Sequence, residues 1–212
     1  MKETNRLGVI RTALDNAISQ PLVGLYLAEY GYTKETIAEG DLLYEDYVQA
    51  SDATRKLSFE VEQAIIAYQK RFKKFEARYR EHQKLAMVKF KGQEPVLRAL
   101  DLVAPCDDNM LERMLSMRRF YYGLKGDQQL TEALKAVKIN EGVVKSAIRE
   151  FGLIENEKSQ VQRYRGILQS MNAVKSEQFE RLQLWMSDFI QVARIALKDN
   201  EQLLEGLGVT VK

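Results

Sequence analysis

Apolar side chains recur along this chain at alternating steps of three and four, the spacing that keeps one stripe on a helix facing a partner. The longest run reads Tyr44, Tyr47, Ser51, Thr54, Ser58, Val61, Ile65, Tyr68, Phe72, Phe75, Tyr79, His82 and Ala86. It predicts a helix from Thr33 to about Lys91, interrupted only by Gly40, with a left-handed supercoil about its partner. The stripe is small and polar from Ser51 to Ser58 and aromatic from Tyr68 to Tyr79, so a break near Ser51 is one outcome to test. A second run reads Phe151, Ile154, Val161, Leu168, Phe179, Leu182, Met186, Phe189 and Ala193. It predicts a long helix from Asn140 to about Leu197, interrupted by Lys158, Arg165, Asn172 and Lys175 and so unlike a simple leucine zipper. Shorter helices are predicted over about 2–19, from Pro21 to near Gly31, over about 109–122 and 128–137, and after Glu94 and Asn200. Pro21 and Pro95 suit the first turn of a helix, where a missing N–H costs nothing.

The two runs are copies of one plan. Shifted by 107 positions, Leu27 meets Leu134, Ile37 meets Val144, Tyr44 meets Phe151, Phe72 meets Phe179 and Phe75 meets Leu182. The ends match best: Val96, Leu97, Leu100 and Leu102 meet Leu203, Leu204, Leu207 and Val209. Turn residues match too. Thr33 meets Asn140, and either side chain can accept from the orphan N–H groups that open a helix. A gapless match of this length predicts a tandem duplication, with copies at 1–107 and 108–212.

The expected fold is therefore all-α. Two long heptad-like helices run antiparallel, with short helices packed at both ends, and the copies co-pack as one pseudo-twofold structure. A helix of about 58 residues would be about 87 Å long. The alternative folds each long segment in two, giving two compact helical bundles.

Composition narrows the class. In 212 residues there are only 3 Pro and 12 Gly, 45% of positions are apolar and 29% charged, a balance fit for a folded chain with a real core. The single cysteine, Cys106, rules out an intrachain disulfide. It sits between Pro105 and two acids, Asp107 and Asp108, which would hold a thiol pKa up, so it reads as incidental. No stretch reaches the 18 apolar residues of a membrane-spanning helix, and the first residues lack a signal peptide's apolar centre. A cytoplasmic protein is the expectation. The most apolar candidate for a membrane-active segment, Val192 to Leu207, is short and broken by charges.

Net charge is only +2, but its distribution is uneven. Residues 34–62 hold eight acids and three bases, whereas residues 67–91 hold nine bases and two acids. The bases Lys70, Arg71, Lys73, Lys74, Arg78, Arg80 and Lys84, continued by Lys89 and Lys91, form a ridge that lies mostly off the apolar stripe. The stretch expected to face it, 141–162, is nearly balanced in charge and is not expected to cancel it.

Chemistry-bearing motifs are lacking. Neither phosphate-binding glycine loop occurs, nor HExxH, an EF-hand loop or paired Glu-x-x-His. His82 stands where the second copy has Phe189 and reads as a partly buried, amphipathic spacer. Glu35, Glu39 and Asp46 could share a helix face but read as solvated charge, and Arg118 to Tyr122 reads as core and rim packing. Trp185, opposite Arg78 in the repeat, reads as a packing anchor. No catalytic, metal, cofactor or small-molecule site is expected. The expected role is a non-catalytic structural or protein-interaction module that binds a protein partner or itself. The alternative is binding of a polyanion, nucleic acid or anionic membrane, through the 70–91 ridge.

Overall fold

The computed structural model describes residues 3–103 and 109–209, and every element among them is helical. Helices α1 (Glu3–Ser19), α2 (Pro21–Ala28), α3 (Lys34–Lys89) and α4 (Glu94–Ala99) come from the first copy. Helices α5 (Met110–Gly126), α6 (Gln128–Leu134), α7 (Glu141–Ala196) and α8 (Glu201–Gly206) come from the second, with a single 3-10 turn at Lys135–Val137. The connector carrying Pro105, Cys106, Asp107 and Asp108 lies outside the described residues.

Each helix of the first copy starts 107 residues before its counterpart, and three of the four end at that offset as well. The turns repeat as closely. Tyr32 N–H donates to the Leu27 carbonyl and Ile139 N–H to that of Leu134, both at 3.1 Å. The residue before each donor has positive φ, 89° at Gly31 and 65° at Lys138. The predicted caps form: Thr33 Oγ1 accepts from Thr36 N–H, and Asn140 Oδ1 from Val143 N–H. These features fit a duplicated helical unit.

Both long helices are continuous, at 56 residues each, so the polar stretches near Ser51 and Lys158 do not break them. Lack of a breaker accounts for this: neither stretch contains proline, and helix hydrogen bonds need no apolar side chain to form. Two local expectations fail. Ser58 is exposed, with Leu57 turned partly inward instead. The helix expected to end near Tyr122 continues to Gly126, because Gly123 is not a stop here but a close approach to Leu100.

By contacts the described chain forms two compact units, and neither is one sequence copy. Unit 1 takes Met1–Phe59 and Gly166–Lys212; unit 2 takes Glu60–Arg165. Each unit thus holds one half of α3 and the opposite half of α7.

In unit 1, α1 and α2 cover the first half of α3 and the last half of α7, with α8 alongside. Its core joins Leu14, Leu27, Ile37 and Tyr47 to Leu182, Phe189, Ala193 and Leu207. Tyr47 meets Phe179 at 5.0 Å between ring centres, and Tyr32 meets Phe189 at 5.4 Å. As the α3-side number falls the α7 number rises, so the pair is antiparallel.

In unit 2, α4, α5 and α6 cover the last half of α3 and the first half of α7. The core is aromatic: Phe75, Tyr79, Phe120, Tyr121 and Phe151 are all at most 2% exposed. Phe75 lies 5.7 Å from Phe151 and 5.6 Å from Tyr121. Arg71 bonds to Glu157 and Arg78 to Glu150, again in antiparallel order. Burying a ring of this size is worth about 1.5–3 kcal/mol, so these rings supply much of the cohesion of the unit.

Candidate interaction surfaces

Two copies of one backbone supply an internal reference: a position that is polar and wet in one copy shows what the fold alone requires there. Of the places that depart from that reference, three bear on binding.

The first is the basic ridge. Its three arginines are engaged within unit 2. Arg71 Nε donates to Glu157 at 2.8 Å, Arg78 Nη2 to Glu150 at 2.6 Å, and Arg80 Nη2 to Glu76 at 3.0 Å. The facing stretch of α7 therefore neutralises part of the ridge, through two glutamates placed within reach of long arginine arms. Lys70, Lys73, Lys74 and Lys84 are exposed and make no ion pair with a described residue. In the second copy Lys70 and Lys73 are replaced by the exposed Glu177 and Glu180, so the fold does not require positive charge there.

The second is buried. His82 is 9% exposed, and its Nδ1 lies 3.0 Å from the Tyr121 hydroxyl. The Arg78 charge also acts on the Tyr121 hydroxyl, and its guanidinium sits 5.1 Å over the Phe75 ring. Burial pushes the Tyr121 phenol up to about 12 and lowers the His82 pKa, with the Arg78 charge lowering it further. In the other copy these four polar residues, Arg78, His82, Tyr121 and Glu150, become Trp185, Phe189, Leu14 and Leu43. There Trp185 stacks on Phe189 at 5.3 Å and meets the edge of Tyr32 at 5.8 Å. The indole takes the space a side chain at position 40 would need, and Gly40 leaves it open.

The third is apolar and exposed. In unit 1, Leu22 and Leu25, one turn apart on α2, are 58% and 60% exposed, and Ile18 in the last turn of α1 is 53% exposed. Their counterparts in unit 2 are Lys125, Gln129 and Glu132, all exposed. Leu22 also forms one wall of an open depression of about 560 Å³, whose other walls are residues 198–203, with Lys198, Asp199 and Glu201 at its rim. The sequence map treated this helix only as a packing element. Its signal was the substitution of Ile18, Leu22 and Leu25 for Lys125, Gln129 and Glu132 at the repeat offset.

The other residues singled out in the sequence fall into ordinary places. Glu35, Glu39 and Asp46 are exposed, and the Glu35 carboxylate accepts from Thr33. Phe120 and Tyr121 are buried, whereas Arg118 lies over the exposed Tyr122 and Arg119 pairs with Asp101. Ala193, Leu197, Leu204 and Leu207 of the 192–207 stretch are buried in unit 1. Among the described residues no helix is long and apolar enough to cross a membrane, and no group of three or more His, Cys, Asp or Glu could hold a metal ion.

Charge also divides between the units. In residues 60–165, bases outnumber acids 21 to 15, a net +6; in the remainder the ratio is 11 to 15, a net −4, which together return the chain's +2. Compared with known protein families, with curated proteins and with solved structures, the chain matches none.

Proposed function

We propose that this protein is a non-catalytic helical module that acts by binding a helix of a partner protein on the apolar face of α2. The observation that carries the reading is the exposure of Ile18, Leu22 and Leu25 where the same fold elsewhere in the chain places Lys125, Gln129 and Glu132. An exposed leucine pair is ordinary by itself. Three apolar residues at positions that the sister copy keeps charged or amide-bearing are a departure from the fold's own standard. Leucines one helical turn apart present the spacing that helix-in-groove contacts use, and the charged rim of the depression beside Leu22 resembles the polar border of a protein interface.

The richest cluster of titratable groups supports a binding role over a catalytic one. His82 bonds to Tyr121 and Arg78 to Glu150, both pairs packed at an aromatic core.

The test exchanges the face for its sister's. Ile18→Lys, Leu22→Gln and Leu25→Glu together install side chains that this backbone already carries elsewhere, so helical content should be unchanged. A partner captured from native cells and identified should bind the purified wild-type chain and lose at least about a hundredfold in affinity for the triple variant, as expected from removing about 3 kcal/mol of apolar contact. Equal capture by both forms, or capture by neither, refutes the reading.

A further inference from the structure

We infer that the basic row of unit 2 is a docking surface for the acidic row of unit 1 on a second copy of this chain. The inference is independent of the α2 face. It rests on two exposed rows of opposite charge, one in each unit, and on the opposite net charge of the units themselves.

The basic row is Lys70, Lys73, Lys74 and Lys84 on the second half of α3, four exposed ammonium groups with no ion pair to a described residue. The acidic row is Glu39, Glu45, Asp46 and Asp52 on the first half of α3, all exposed. Glu39 and Asp46 make no ion pair with a described residue, Glu45 reaches Arg11 only at 3.7 Å, and Asp52 holds its neighbour Arg55. At the helical rise of 1.5 Å per residue the rows are each about 20 Å long; Glu39 and Asp46 share one line, Glu45 and Asp52 a second roughly 100° round the helix, and the exposed Glu81 lies among the lysines.

Neither row is demanded by the fold. Lys70 and Lys73 correspond to Glu177 and Glu180, while Glu39, Glu45, Asp46 and Asp52 correspond to Ser146, Gly152, Leu153 and Ser159. Lys84 corresponds to Gln191, whereas Lys74 keeps a base in Arg181, so the acidic row and three of the four lysines belong to the first copy alone. A solvated face needs charge for solubility, but it does not need acids gathered in one unit and bases in the other. Like units repel and unlike units attract, at −4 against +6, and this biases encounters toward the unlike pairing.

Sedimentation velocity of the full chain, over concentrations up to about 100 µM at about 50 mM and about 500 mM salt, reads the association and its screening. At low salt the mass should rise from 24.5 kDa to at least twice that value, and it should return to the monomer at high salt. Two charge-reversed variants make the test specific. Lys70→Glu with Lys73→Glu and Lys84→Glu, and separately Glu39→Lys with Asp46→Lys and Asp52→Lys, should each be monomeric at low salt with unchanged helical content. Mixed in equal amounts, they should associate again. A wild-type chain that stays monomeric at low salt overturns the inference, as does association indifferent to salt or to either reversal, or failure of the mixture to associate. Binding of a generic DNA duplex or of anionic vesicles by a monomeric wild type, lost on the lysine reversal, also overturns it and assigns the row to a polyanion.

Discussion

His82 is the chain's only histidine, and its surroundings determine its charge. On its own helix it sees Arg78 and Glu81, from α5 the Tyr121 hydroxyl, and from α7 Glu150 behind the arginine. Burial, with the Arg78 charge nearby, favours the neutral ring and lowers its pKa below the ordinary 6.5. The unfolded chain has neither restraint. Below about pH 6.5 it binds a proton that the folded chain resists, so stability falls as pH drops from 6.5 toward 5. Chemical denaturation across that interval should show this fall in the wild type and a flatter profile in His82→Phe, the residue that the sister position carries. Equal slopes would contradict the assignment. The sequence marked His82 as partly buried because it sits on the stripe, and the fold buries it more fully. It did not reveal that Arg78, Tyr121 and Glu150 join it, since those residues lie on three helices and only the fold brings them together.

At the scale of single helices, pattern was highly informative. The three-four spacing located both long helices, the prolines located the starts of α2 and α4, and Thr33 and Asn140 located two caps. Local backbone energetics govern those features, and nearby residues write them directly. Exposure of the α2 face was not written that way, because an apolar residue on a short helix reads as core until the neighbour that should cover it is known. Glycines show the same limit. On propensity alone, any helical glycine changed to alanine gains up to about 1 kcal/mol. Gly166→Ala, with open space around it, should show about that gain in urea denaturation. Gly40→Ala should instead lose about 1–3 kcal/mol, since its new methyl would fall within the Trp185 ring and force the indole off Phe189. The same sign for both substitutions would mean that Trp185 is not packed as described.

For the whole molecule, the division into units matters more than the duplication itself. Sequence comparison draws its boundary in the connector, whereas contacts draw theirs across the middle of both long helices. The reason is antiparallel pairing: the start of α3 finds the end of α7, so the first copy supplies the beginning of one core and the second copy supplies its completion. In unit 1, Ile10, Leu14 and Leu27 pack in a core with Leu182, Phe189 and Leu207. In unit 2, Phe75 and Tyr79 share one with Phe120, Tyr121 and Phe151. Each copy alone would leave a long apolar stripe in water, a cost of several fully exposed rings.

Shared cores are the claim on which the rest depends, and residues 1–107 and 108–212 expressed as separate chains test it most directly. Neither half should be a cooperatively folding monomer. Mixed, they should form a one-to-one complex that recovers the helical circular dichroism and the single unfolding transition of the intact chain. Two stable monomers that unfold cooperatively and ignore each other in the mixture would contradict it.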